Sequence, residues 1–212
     1  MTTVSQSSGA THELAEEDRL RAQFYDFIAQ YLSEPPTAER LAAAGRLSGG
    51  ETALGQAIER FALVAGRCDV ATADDEYSDL FIGVGRGELL PFGSYYLTGF
   101  LHEKPLARLK EDMARYGIVR REDVTEPEDH VASVLETMAG LIDGRFGAAR
   151  SLAEQKQFFD AHIITWMPVF FRDLAEASSS VLYASLADVA LRFLEIEAQG
   201  FAFGTREEAD RQ

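Results

Sequence analysis

Apolar residues recur every three to four positions along most of the chain, so the pattern is that of amphipathic helices. Leu20, Phe24, Phe27, Ile28 and Tyr31 share one face of a first predicted helix, which Glu34-Pro35-Pro36 ends. A weaker helical segment runs from Thr37 to Leu47 and stops at Gly49-Gly50. Leu54, Ile58, Phe61 and Ala65 mark the next helix, and Tyr77, Leu80, Phe81 and Val84 another. From Gly83 to Gly99 the rhythm breaks. Glycines, Pro91 and aromatic residues there predict an ordered loop rather than a polar linker. Pro105 opens a helix carrying Leu106, Leu109, Met113 and Tyr116, closed by Gly117. Thr125 and Glu128 have capping-box spacing ahead of Val131, Val134, Leu135, Met138, Leu141 and Ile142. Ser151 and Glu154 form a second such pair before a long segment with Phe159, Ile163, Trp166, Phe170 and Leu174, in which Pro168 predicts a kink. Leu182, Leu186, Val189, Phe193 and Ile196 make the last helix, ended by Gly200. No alternating strand pattern stands out. The expected fold is all-α, a single compact domain of about eight or nine helices over residues 11–204. Residues 1–10 read as a disordered N-terminal tail and 205–212 as a flexible C-terminal one.

Composition narrows the function. The chain has 212 residues, 46% of them hydrophobic, and a formal charge of −15 from 20 basic and 35 acidic residues. Such a surface excludes nucleic acid as the main partner and disfavours anionic membrane, since both need a cationic face. It suits a basic peptide or protein segment. The single cysteine, Cys68, excludes an internal disulfide and a thiolate metal cluster. The start of the chain shows no secretory signal and no segment is apolar enough to span a membrane, so a cytoplasmic protein is expected.

Tests for chemistry return little. Gly83-Val84-Gly85-Arg86-Gly87 is glycine-rich, but a phosphate cradle needs a strand before it and a helix after it. A nucleotide-binding enzyme built on this loop is the alternative from another functional class. Among His12, His102, His130 and His162 no pair has the spacing of a helical zinc site, so no metal and no cofactor are expected. No Gly-x-Ser-x-Gly elbow surrounds Ser94, and no residue is marked as catalytic. Glu13, Glu16, Glu17 and Asp18 suit the positive end of a helix dipole. Asp69, Asp74, Asp75, Glu76 and Asp79 form a second acidic run just before the aromatic loop. An acidic rim beside an apolar loop is a composition that grips a peptide with basic and apolar parts, and equally one that a solvated surface carries.

Three segments, in order, carry a resemblance. Tyr77-Ser-Asp-Leu80-Phe81 leads into Leu90-Pro91-Phe92-Gly93-Ser94-Tyr95-Tyr96; Glu126-Pro127-Glu128-Asp129-His130 follows; then comes Gln157-Phe158-Phe159 with His162, Trp166 and Pro168. Together these resemble the TorD/DmsD/NarJ family of redox-enzyme maturation chaperones. The resemblance implies an all-helical, non-catalytic, cytoplasmic chaperone. Its partner would be a molybdopterin oxidoreductase precursor, bound through its twin-arginine signal peptide and held until cofactor insertion. A NarJ-like variant would grip a signal-less enzyme instead. By motif, the peptide-binding residues would be Tyr77, Leu80, Phe81, Pro91, Phe92, Ser94, Tyr95, Glu126, Asp129 and His130, while His162 and Trp166 would serve packing. Helical spacing also gives Tyr77, Leu80 and Phe81 a core role, and Asp129 and His130 a capping role. The segment from Leu97 to Leu106 resembles chaperones that accompany formate dehydrogenase, the first expected client, with trimethylamine-oxide or dimethyl-sulfoxide reductase next. The family includes monomers and domain-swapped dimers, and both remain open here.

Overall fold

The computed structural model describes residues 15–119 and 126–210, those from 204 on as backbone only. Within them ten α-helices form one body: α1 (Glu16–Ser33), α2 (Ala38–Ala44), α3 (Ala53–Ala65), α4 (Val70–Tyr77), α5 (Gly93–Thr98), α6 (Lys104–Arg115), α7 (Val131–Asp143), α8 (Leu152–His162), α9 (Met167–Glu176) and α10 (Leu182–Asp210). A π-helical turn, Ser78–Ile82, continues α4. The described residues hold no β-strand, only an isolated antiparallel bridge between Phe92 and His130. The all-α expectation holds. The N-terminal tail read from the sequence at residues 1–10 lies outside the described residues.

The layout follows from which helices are apolar all round. In α7 ten residues between Val131 and Ile142 are buried and only Glu136 is exposed, so this helix becomes the centre. It lies against α1 and α8, while α10 packs on α3, α8 and α9. One core cluster runs through all of them, filled with Tyr25, Tyr31, Phe61, Phe158, Phe159, Phe170, Phe171 and Tyr183. At roughly 25 cal/mol per Å² of apolar area, such rings are the main source of stability.

Several boundaries differ from the sequence pattern. The buried side of α1 is Ala22, Tyr25, Ile28, Ala29, Tyr31 and Leu32; Phe24 and Phe27 are half-buried and Leu20 is 56% exposed. The face is rotated because Tyr25 is drawn inward by its hydroxyl, which donates to Glu197 Oε2 at 2.9 Å. The expected ordered loop contains α5. α7 begins at His130, whose ring Nδ1 accepts from Ala132 N, and not at a Thr125 cap, which lies outside the described residues. The Ser151/Glu154 capping box is formed as the spacing predicts. Pro168 marks a break rather than a kink. α8 ends at His162 and α9 restarts at Met167, with proline in its first turn, where its missing N–H costs nothing. Gly200 does not end the last helix: α10 continues to Asp210, through positions that the pattern reads as a tail.

Candidate functional site

Eight of the ten sequence-derived site residues fall into two places. Tyr77, Leu80 and Phe81 sit where α4 runs into the π-turn. Leu80 is fully buried, and Tyr77 and Phe81 pack edge-on with ring centroids 5.1 Å apart, Phe81 also against Tyr183 of α10 at 5.5 Å. Their packing accounts for them, and Leu80 presents nothing to a ligand. Burial pushes the Tyr77 hydroxyl up to about 12, helped by the charges of Glu126 and Glu34.

Two members of the acidic run before the loop are taken up by helix ends. Asp69 accepts from Thr72 N at the start of α4. Glu76 is buried and accepts from Val181 N, Leu182 N and Tyr183 N at 2.7, 3.1 and 2.8 Å, tying α4 to the first turn of α10. Glu88 accepts from the N–H groups of Ser178 and Ser179. Asp74, Asp75 and Asp79 remain exposed, so the acidic rim is thinner than the sequence implies.

The second place is built by backbone pairing between residues 91–94 and 129–131. Gly93 N donates to Asp129 O at 2.9 Å, and Val131 N to Pro91 O at 2.8 Å. Phe92 stands edge-on to the His130 ring, centroids 5.3 Å apart. Asp129 Oδ2 accepts from Ser94 N at 2.8 Å, which caps α5. Pro91, Phe92, Ser94, Asp129 and His130, all named from the sequence, therefore meet at one joint. Gly93 is needed there because a Cβ would come within 3.2 Å of the Trp166 indole. Trp166 is itself anchored, its Nε1 donating to His162 O at 2.7 Å. Tyr95 points away and meets Arg86, whose guanidinium lies over its ring and donates to its hydroxyl at 3.0 Å. Glu126 is exposed, and its charge reaches Tyr77.

Asp129 is 3% exposed, and its second oxygen, Oδ1, is buried without a hydrogen-bond partner. The residue separates two clefts. One of about 460 Å³ is lined by Gly93, Leu97, Leu109, His162 and Trp166 as well as Asp129. The other, of about 300 Å³, is lined by Phe92, Ser94, Leu101, His102 and Pro127 together with Asp129. Burial drives the His130 pKa down to about 4 despite the neighbouring Asp129. His130 is thus neutral at pH 7 and adds no positive charge beside Asp129, while Arg108 and Arg115 line the wider cleft with it. Around the mouth Leu97, Leu101 and Phe100, the last 70% exposed, form an apolar lip. The turn behind them holds Gly99 and His102 at positive φ, with His102 N donating to Ser94 Oγ at 3.2 Å.

Leu101, His102 and Pro127 were not singled out as site residues in the sequence. The available cue was three large apolar side chains in a glycine turn. Conversely, Gly83–Gly87 does not present an open cradle. A Cβ on Gly83 would lie 2.0 Å from Arg86 O and one on Gly87 2.6 Å from Leu80 O, so these glycines make room for the chain's own turn. A π-helical turn precedes them where a phosphate loop needs a strand. Among the described residues no group of three or more His, Cys, Asp or Glu side chains is placed to hold a metal. No helix among them is long and apolar enough to cross a membrane.

With this geometry in place, known proteins can be set beside it. The profile of the family described as nitrate reductase delta subunit matches residues 49–172, more than half of the chain and all of the candidate site. The chaperone protein TorD of Vibrio atlanticus is 30% identical over 135 residues, covering 60% of this chain and 63% of its own length. TorD of Aliivibrio fischeri is 27% identical over 217 residues, 90% of this chain and 99% of its own. The fold resembles that of an Archaeoglobus fulgidus crystal structure assigned to redox enzyme maturation, with a TM-score of 0.57 at 22% identity over 83% of this chain and 94% of that one.

Proposed function

The chain belongs to the nitrate reductase delta subunit family, and from that premise we propose that it is a maturation chaperone for a redox enzyme precursor. It acts in the cytoplasm by holding the precursor's twin-arginine leader. The observation that carries this reading is Asp129: a buried carboxylate with one oxygen spent on capping α5 and the other unspent between two clefts. Guanidinium is the natural complement, since it brings several N–H donors to one carboxylate and is less costly to desolvate than ammonium. Oδ1 is shielded from solvent, which strengthens the pairing once a guanidinium has entered. The apolar residues that follow the arginines in such a leader would lie on Leu97, Phe100 and Leu101. The net charge of −15 steers a cationic peptide toward the protein. Ordering a disordered peptide offsets much of this gain, so binding is moderate and releasable.

Calorimetric titration with a twin-arginine peptide tests the reading. Asp129→Asn should weaken binding at least about tenfold, the loss expected for one charge-assisted contact. Replacing both arginines of the peptide by glutamine should abolish it. Equal affinity of the folded Asp129→Asn protein would overturn the assignment. The client is expected to be a molybdopterin oxidoreductase, formate dehydrogenase first. Mass spectrometry of proteins co-purified from the native cytoplasm would name it. Recovery of the enzyme without a leader would move the reading to the NarJ-like mode.

A further inference from the structure

A groove of about 890 Å³ lies elsewhere, between α1 and α10, and it shares no lining residue with the two clefts at Asp129. Its walls carry exposed apolar side chains among the described residues. Leu20 on α1 is 56% exposed and Ile196 on α10 is 49% exposed, with Phe24 and Phe193 beside them. The charges in its floor are already matched. Glu197 accepts from Arg21 Nε at 2.8 Å and from Arg21 Nη2 and Tyr25 Oη, both at 2.9 Å. The mouth is acidic: Glu16, Glu17 and Asp18 occupy the first turn of α1. Asp18 turns to Arg21 and Glu16 to Arg19, leaving the Glu17 carboxylate with no ion pair among the described residues. Across from them Arg150 is engaged with Tyr116, stacked on its ring and bonded to its carbonyl at 2.9 Å.

Gly200 supplies a second, independent observation. It lines this groove in the middle of α10, where glycine costs about 1 kcal/mol relative to alanine. Most other described glycines meet the chain itself or sit at positive φ. At Gly140, for instance, a Cβ would strike the Phe146 ring. At Gly200 a Cβ would meet nothing within 4 Å, and the residue needs no positive φ. The room it leaves is used by no group of the described chain. A glycine in a helix wall lets another helix approach closely: Leu20 and Phe24 form a ridge on α1, and Gly200, one turn beyond Ile196, leaves a gap in the α10 wall for a third helix to enter. No strand edge is available among the described residues for an extended peptide to pair with.

We propose that the α1–α10 groove is a second docking site, which takes a cationic amphipathic helix of another protein. Its apolar face lies on Leu20, Phe24 and Ile196, its backbone crosses at Gly200, and its lysines or arginines meet Glu16 and Glu17. A second copy of this chain is the poorer occupant, because each copy carries −15 and the groove mouth would face a like-charged surface. The site does not depend on the leader-binding reading.

The probe is a synthetic peptide of about five helical turns with leucines on one face and lysines on the other. Fluorescence anisotropy with the full chain should show saturable binding. Gly200→Leu adds a side chain whose Cβ meets nothing within 4 Å and favours the helix, so it should weaken binding tenfold or more with no fall in melting temperature. The double change Glu16→Gln and Glu17→Gln should flatten the salt dependence, and a glutamate-for-lysine peptide should not bind. Asp129→Asn should leave this binding unchanged, and Gly200→Leu should leave twin-arginine binding unchanged, so either site can fail alone. Wild-type affinity in Gly200→Leu would overturn the proposal. So would loss of binding through Asp129→Asn, or a dimer in sedimentation that Gly200→Leu dissolves, which would assign the groove to a second copy.

Discussion

Glu76 and Asp129 do the same structural task in two regions and differ in what they have left over. Each is a buried carboxylate from outside a helix that caps that helix's first turn, Glu76 for α10 and Asp129 for α5. Glu76 spends both oxygens on three backbone N–H groups. Asp129 spends one oxygen on Ser94 N and keeps Oδ1. Burial and capping geometry alone therefore do not separate a structural acid from a binding one. On the proposed reading the unspent acceptor does, because an unpaired buried carboxylate oxygen is costly and a leader's guanidinium would complete it.

The sharpest way to break that comparison is Glu76→Ala. Three charge-assisted bonds vanish and the first turn of α10 is left uncapped, so stability in urea should fall by about 3 kcal/mol or more. Twin-arginine binding by the molecules that remain folded should not change. If it were lost, Glu76 would belong to the site and the contrast would collapse. Acid should act next, through His130 beside Asp129. Its native pKa is about 4, against 6.5 without burial. Between those values the unfolded chain binds a proton that the native protein excludes. Stability contributed by neutral His130 is therefore complete above about pH 6.5 and drains away toward pH 4, by up to roughly 3 kcal/mol. His130→Asn retains a good cap residue and should flatten the urea midpoint over that pH range.

Gly93→Ala should cost about 1–2 kcal/mol in thermal or urea unfolding, since the Trp166 indole it crowds is pinned by its bond to His162. Asp129→Asn should lower stability by only about 1 kcal/mol, because the amide oxygen still caps Ser94 N, while peptide affinity falls tenfold. A large stability loss with unchanged affinity would make Asp129 a second Glu76. Smallest of all, Arg86→Ala removes an exposed stack on Tyr95 and should change stability by no more than about 0.5 kcal/mol.

Local cues read well where one helix turn settles the matter. The Ser151/Glu154 cap, the stop at Gly144 and the apolar face of α7 were all legible, since each rests on residues within four positions. The rotation of α1 was not, because Glu197, far along the chain, holds Tyr25. α5 was hidden in an aromatic, glycine-rich stretch, because its start is capped by Asp129, thirty-five positions later. The acidic run looked fuller as a rim than it is for the same reason: the N–H groups that claim Glu76 are 105 to 107 residues away.

By itself the sequence determined that the chain is all-helical, where several of its helices begin and end, that its surface is acidic, and which motifs tie it to its family. Periodicity, caps and charge are properties of neighbouring residues, and they survive without a fold. Only the tertiary structure decided which carboxylates are spent, that Pro91, Phe92, Ser94, Asp129 and His130 share one joint while Leu80 is core, and that Gly200 faces open space. Hydrogen-bond valence and empty volume are set by groups distant along the chain, and they exist only once the helices are packed.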